Sequence, residues 1–450
     1  MKNKFIIATV IFLLILVSRN VNAAEAEDIS KNTKITYNNQ SITKISDDNT
    51  STKITIIENS PIKISSEQNI KSVYIKYENK AQTGILKYNQ KEQEIGQNSF
   101  LHEYIELEED NINEITITYN NKVQISEIYC FTEGEVPQWV QKWKVQNGNV
   151  DLMLFSTHSD DEHLFFAGLL PTYVAQNKNV QVIYLTNHND NPTRLHEQLD
   201  GLWTVGVTNY PIIGEFPDAY AKSLDGAIAN LKKSEYTQED VIKFQVEQIR
   251  KYKPLVIVGH DINGEYSHGQ HMLNADSLKQ AIEKSNDSEY KDSTYEIWQT
   301  PKLYLHLYSE KQITMNYDTP LEYFNGKTAY QMSKLGYLKH KSQQYTWFTK
   351  WLNGTNNSYT SATQISTYSP TQFGLYYSSV GEDVNKNDMF ENINKSDYRE
   401  SEVKVENETL NQETSTLNNK KNIKIIIIVS IIIIMSCVII YILKSIKKIR

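Results

Sequence analysis

The stretch Asp151-Leu152-Met153-Leu154-Phe155-Ser156-Thr157-His158-Ser159-Asp160-Asp161-Glu162-His163 changes character halfway along. Its first half is a continuous apolar run, which reads as a strand buried on both faces. Its second half is a polar turn bearing two histidines and three carboxylates. Outward from it, a helix is expected over 162–176, a strand over 180–186 and a helix over 193–205. A helix over 239–252, a strand over 255–259, a helix over 268–284 and a strand over 302–308 follow. Asp240 in the first turn of the third helix, and Arg250 and Lys251 near its end, suit the helix dipole. Such alternation predicts an α/β fold: a Rossmann-like, mainly parallel sheet with helices on both faces. Sites in these sheets lie beyond the carboxyl ends of the strands, where the His158–His163 turn falls.

Toward the N-terminus the pattern becomes a two-residue alternation: Ile54 and Ile56, then Val73, Ile75 and Tyr77, then Ile115, Ile117 and Tyr119, then Val123 and Ile125. Half-buried antiparallel strands follow, so an all-β sandwich is expected over 28–136, ahead of an α/β domain over 150–394. The sandwich reads equally as a carbohydrate-binding module or a structural spacer, because a fold does not name a function. At 450 residues the chain is long enough for two folded regions.

Met1–Ala23 has the layout of a signal peptide: two early lysines, an apolar run over 5–17, and small residues ending at Ala23. Residues 395–421 are rich in Glu, Asn, Thr and Lys, as in a flexible stalk. The apolar run Ile425–Leu443 is expected to form a C-terminal transmembrane helix, with 444–450 as a basic cytoplasmic tail. These readings describe a single-pass protein of a bacterial cell membrane, attached through one C-terminal helix and with its catalytic domain extracellular. Only Cys130 and Cys437 are available, and the second lies in the apolar run, so no disulfide is expected. The net charge of −8 argues against nucleic acid as a partner.

A second polar cluster, His260-Asp261-Ile262-Asn263-Gly264-Glu265-Tyr266-Ser267-His268-Gly269-Gln270-His271, follows the strand ending near Gly259. His268 and His271, three apart at a helix start, share one face. Together the two clusters supply a histidine, a carboxylate and a histidine, a set that leaves one position on a zinc ion open to water. Eight of the ten histidines lie between His158 and His306, which random scatter explains poorly. His163, His188, His196 and His306 read as ordinary core or surface residues. The turn after the first strand lacks a glycine-rich loop, which excludes a dinucleotide site.

His158-Ser159-Asp160-Asp161-Glu162 followed by His268-Gly269-Gln270-His271 resembles the PIG-L/LmbE-type deacetylases, zinc enzymes acting on N-acetylglucosamine-containing substrates. Serine replaces the proline usual in the first motif. Further echoes are Arg194 with Glu197, Phe216-Pro217-Asp218, Pro301-Lys302-Leu303-Tyr304 and His340-Lys341-Ser342-Gln343. The resemblance implies Zn2+ held by His158, Asp161 and His271, with Asp160 as general base. It further implies that His268 stabilises the oxyanion or protonates the leaving amine. Arg194 is a candidate for holding the sugar, or equally a helix-surface ion pair. The implied activity is removal of acetyl from an N-acetylated glycan or glycoconjugate. Alternatives are a zinc amidase of other N-acyl small molecules and a non-catalytic glycan-binding surface adhesin.

Overall fold

The computed structural model describes residues 24–399. The N-terminal region holds two antiparallel sheets, one of six strands and one of four, between Lys34 and Phe131. The alternation read from sequence is what buries one face of each strand, as in Glu114–Tyr119, where Ile115, Ile117 and Tyr119 turn inward. The two inner faces meet where the Tyr77 hydroxyl lies 3.1 Å from that of Tyr119.

The second region is built on seven strands: β1 (Leu152–Ser156), β2 (Val180–Thr186), β3 (Ile212–Phe216), β4 (Val256–Gly259), β5 (Lys302–His306), β6 (Gln312–Thr314) and β7 (Gln372–Ser378). Their order is β3-β2-β1-β4-β5-β7-β6, parallel from β3 to β5 and antiparallel at β7 and β6. Helices α1 (Leu169–Ala175), α2 (Thr193–Thr204), α3 (Leu224–Lys233), α4 (Gln238–Tyr252), α5 (Gly269–Ser285), α6 (Ala329–Tyr337) and α7 (Trp347–Asn353) surround it. Met153, Phe155, Ile183, Ile257, Leu303 and Leu305 pack against Ile242, Val246 and Ile249 of α4 and Leu278 and Ile282 of α5. Intervening positions point the other way, and α1 lies against β2. The chain runs β1, β2, β3 outward and returns to β4 on the other side of β1. The polar turns after β1 and β4 therefore end side by side at the switch point.

Three expectations need correction. The fold is mixed α/β with several sheets, because the segment after 308, placed in the α/β domain but given no strand from sequence, supplies an antiparallel edge. The expected C-terminal transmembrane helix is not part of this fold: among the described residues no helix is long and apolar enough to cross a membrane. The run 425–443, like Met1–Ala23, residues 400–421 of the expected stalk and the tail 444–450, lies outside the described residues. The helix expected over 162–176 is confined to α1. Asp160 and Gly168 both have positive φ, and residues 162–168 form turns that carry Glu162 and His163 into the interior.

The sandwich and the α/β region form one compact unit through Glu391. Phe100 stacks on Tyr210 at 4.3 Å, and His102 Nε2 lies 2.7 Å from His196 Nδ1. The described residues beyond Glu391 contain a 3-10 turn, Lys395–Asp397.

Candidate active site

The loop after β1 is closed by its own side chains. The His158 N–H donates to Asp161 Oδ2 at 2.8 Å, and the Asp160 N–H donates to Glu162 Oε2 at 2.9 Å. Asp160 sits at φ +116°, a conformation unfavourable for a residue with a Cβ. Ser159, where the resembling family has proline, anchors the turn on α2: its Oγ–H donates to the Arg194 carbonyl at 3.0 Å. The Arg194 guanidinium donates back to the Ser159 carbonyl.

The loop after β4 is organised around Glu265, fully buried. Its Oε2 accepts from His260 Nδ1 at 2.9 Å and His271 Nδ1 at 2.7 Å. Its Oε1 lies 2.6 Å from His306 Nδ1 and accepts the Asp261 N–H at 3.2 Å. Burial opposes ionisation of Glu265, but the charges and hydrogen bonds of these histidines hold its pKa well below the usual range. Tyr266 and Ser267 take left-handed backbone conformations to bring the loop round onto α5.

These bonds decide which ring nitrogens are free. His271 gives its Nδ1 proton to Glu265, so its Nε2 carries a lone pair. His158 Nε2 faces two acceptors, Gln270 Oε1 at 3.1 Å and Asp218 Oδ1 at 3.4 Å, which leaves the lone pair on Nδ1. His158 Nδ1 and His271 Nε2 are 3.1 Å apart, and Asp161 Oδ2 is 3.3 Å from the first and 3.4 Å from the second. The edge of a tetrahedron with metal–ligand bonds of ~2.0–2.1 Å is about 3.3 Å. Three electron-pair donors at that spacing fit a zinc-like cation.

His260 also approaches Asp161, at 3.5 Å, but its Nε2 accepts the Thr157 N–H at 3.0 Å and has no lone pair left for a metal. His268 caps α5, its Nδ1 accepting from the Gln270 N–H at 3.2 Å, so its proton is on Nε2. Burial, with His158 and His271 nearby, lowers the His268 pKa strongly and keeps the ring neutral. The demand for positive charge at the centre is visible in His158 itself. Burial opposes its protonation, yet the hydrogen bonds and charges of Asp161 and Asp218 push its pKa up to about 10, so without a cation Nδ1 carries a proton that a metal ion would displace to reach the lone pair.

Asp160 is buried beside this centre, with Arg194 Nη2 3.3 Å from its Oδ2. Burial raises its pKa, the Arg194 charge opposes that rise, and the neighbouring Asp161 and Glu162 carboxylates add to it. Arg194 Nη1 is also 3.6 Å from Asp218 Oδ2. All six residues singled out from sequence, His158, Asp160, Asp161, Arg194, His268 and His271, thus come together.

Sequence reasoning missed Glu265, Gln270 and Asp218 as the residues that set the ring tautomers, and His260 as a partner of Glu265, although the Phe216-Pro217-Asp218 echo included Asp218. His188 and His306, read as ordinary residues, do find partners: Ser159 N–H donates to His188 Nε2 at 2.9 Å, and His306 Nε2 lies 2.9 Å from the Ser369 carbonyl. His196 has one nitrogen without a hydrogen-bond partner, and His163 has two. Aromatic rings border His268: Tyr220 at 5.0 Å and Tyr266 at 5.3 Å, with the half-exposed Trp347 at 5.8 Å from Tyr266.

No curated protein matches the chain. Among solved structures, the N,N'-diacetylchitobiose deacetylase of Pyrococcus horikoshii is 13% identical with a TM-score of 0.35, covering 50% of this chain and 83% of its own. A deacetylase of the teicoplanin biosynthesis pathway is 16% identical with a TM-score of 0.33, covering 51% of this chain and 100% of its own. GalB, the 4-carboxy-2-hydroxymuconate hydratase of Pseudomonas putida KT2440, is 14% identical with a TM-score of 0.31, covering 52% and 99%. Residues 153–282, which run from β1 through both polar loops into α5, match the family model PIG-L, GlcNAc-PI de-N-acetylase, and are a domain of that family.

Proposed function

We propose that this protein is a zinc-dependent amide hydrolase that removes acetyl from an N-acetylated, N-acetylglucosamine-type sugar. The observation that carries the proposal is the coincidence of the PIG-L match with a three-donor centre, His158, Asp161 and His271, whose lone pairs are fixed by their other hydrogen bonds. A zinc ion held there supplies Lewis acidity toward the amide carbonyl and acidifies water toward a pKa of ~7.

The remaining work falls to the chain's own groups. Asp160, with its raised pKa, takes a proton from the attacking water as the new C–O bond forms. The Nε2–H of neutral His268 donates to the carbonyl oxygen as negative charge develops there. Breaking of the C–N bond then releases acetate, and the proton taken by Asp160 passes to the amine. Arg194 holds Asp160 in position through its guanidinium. The rings of Tyr220 and Tyr266 beside His268, with Trp347 beside Tyr266, offer apolar faces suited to a sugar.

The reading of Met1–Ala23 as a signal peptide favours a glycan or glycoconjugate outside the cytoplasm as the proposed substrate. The test is acetate release from a panel of N-acetylated glycans and non-sugar N-acyl amides, followed by mass spectrometry. Release from N-acetylglucosaminides by the zinc-loaded protein, lowered roughly 10²–10⁴-fold in Asp160→Asn, is expected. Release only from non-sugar amides would move the assignment to a general N-acyl amidase.

A further inference from the structure

A second group of metal-type ligands lies beside the first, and nothing in the reaction above uses it. Glu162, His163 and His340 are buried at 1%, 0% and 0% exposure. His163 Nε2 is 3.3 Å and His340 Nε2 3.5 Å from Glu162 Oε1. None of these atoms makes a hydrogen bond of acceptable geometry, and neither do the two Nδ1 atoms of the histidines. Five buried polar atoms without hydrogen bonds, gathered in one place, would each cost about 1–3 kcal/mol if left so. The Tyr184 hydroxyl also lies against the Glu162 carboxylate.

The surroundings are shaped to these rings. Gly201 of α2 and Gly336 of α6 both press on them. A Cβ at Gly201 would stand 2.6 Å from His163 Nε2 and 2.8 Å from His340 Nε2, and one at Gly336 would stand 2.4 Å from His163 Cε1. The ligands come from the β1 loop and from the segment after α6, distant in sequence, as expected of a cross-link.

We propose that Glu162, His163 and His340 form a second, structural divalent-metal site, of the carboxylate-and-two-imidazole type that suits zinc. It has a direct link to the first centre. Glu162 uses Oε1 toward the histidines, while its Oε2 accepts the N–H of Asp160. The second ion thus pins the backbone of the residue held at φ +116°. Glu162 and His340 are positioning residues in this scheme, since neither touches substrate.

The full chain, freed of metal with a chelator and titrated with Co2+, should show d–d absorption saturating at about two equivalents. Mass-spectrometric metal analysis after zinc loading should give about two equivalents for the wild type, about one for His340→Gln and about one for His271→Ala, with folding verified by circular dichroism. One equivalent in the wild type that is lost in His271→Ala and retained in His340→Gln would overturn the second site and leave the proposed deacetylase intact. One equivalent lost in His340→Gln and retained in His271→Ala would support the second site and remove the catalytic one.

Discussion

Two buried histidine–carboxylate groups sit either side of the same loop, and they differ in how their rings are held. Around His158 and His271, Glu265, Gln270 and Asp218 fix which nitrogen carries the proton. Around His163 and His340 no ring nitrogen has a hydrogen bond of acceptable geometry. Orientation of the first group by outer hydrogen bonds is what a centre with an open coordination position needs, because its ligands must keep their geometry while substrate comes and goes. The second group has glycine backbone packed against the rings instead, which suits a closed site where the ion itself supplies the order.

The largest expected effects come from breaking the first group. His271→Ala should lose catalytic metal and all measurable turnover. Asp160→Asn should keep the metal and lower kcat by roughly 10²–10⁴-fold, the usual contribution of a general base. Equal metal loss in the two variants, measured by mass spectrometry, would contradict the division between ligand and base.

Weakening the outer bonds sharpens the comparison. Glu265→Gln leaves every metal ligand in place but removes the carboxylate that orients His271 and His260. A fall in metal affinity of about 10–100-fold is expected by competition with a chelator. Unchanged affinity would mean that Glu265 is packing alone.

A smaller effect concerns pH. Arg194 lowers the pKa of Asp160 against the rise caused by burial. The base works only when ionised, so activity increases as pH passes upward through its pKa. Arg194→Gln removes the opposing charge, and the acidic limb of the kcat/KM profile should therefore move to higher pH. A limb that stays in place would assign it to another group.

The smallest effect at the site lies at the contact between the sandwich and the α/β region. Phe100→Ala removes the buried ring stacked on Tyr210 and should cost about 3 kcal/mol of stability. The melting temperature should fall by several degrees while metal content stays constant. A coincident loss of metal would tie the sandwich to the site.

Much of this arrangement was readable from local sequence. The strands β1, β2 and β4 are mostly apolar runs because both their faces are covered, and that same feature located the two polar turns after β1 and β4. His158, Asp161 and His271 followed from those turns and from their resemblance to a known motif. The hub role of Glu265 was hidden because it depends on a left-handed backbone at Tyr266 and Ser267, for which no local residue pattern is a strong signal. Glu162 and His163 read as the start of a helix, and only the positive φ of Asp160 and the approach of α6 reveal them as interior groups. His340 joins them from nearly 180 residues away, a distance that no periodicity spans. The antiparallel edge strands β6 and β7 were missed for a similar reason: β6 is three residues long and takes its partner from 372–378.

The most direct test is the position of the metal itself, read by anomalous diffraction at the zinc edge from crystals of the zinc-loaded protein. A peak ~2.0–2.1 Å from His158 Nδ1, Asp161 Oδ2 and His271 Nε2, with His260 and His268 uncoordinated, is the expected result. Zinc held by His260 or His268 in place of His158, or no peak between the β1 and β4 loops, would contradict the assigned tautomers and the catalytic centre built on them.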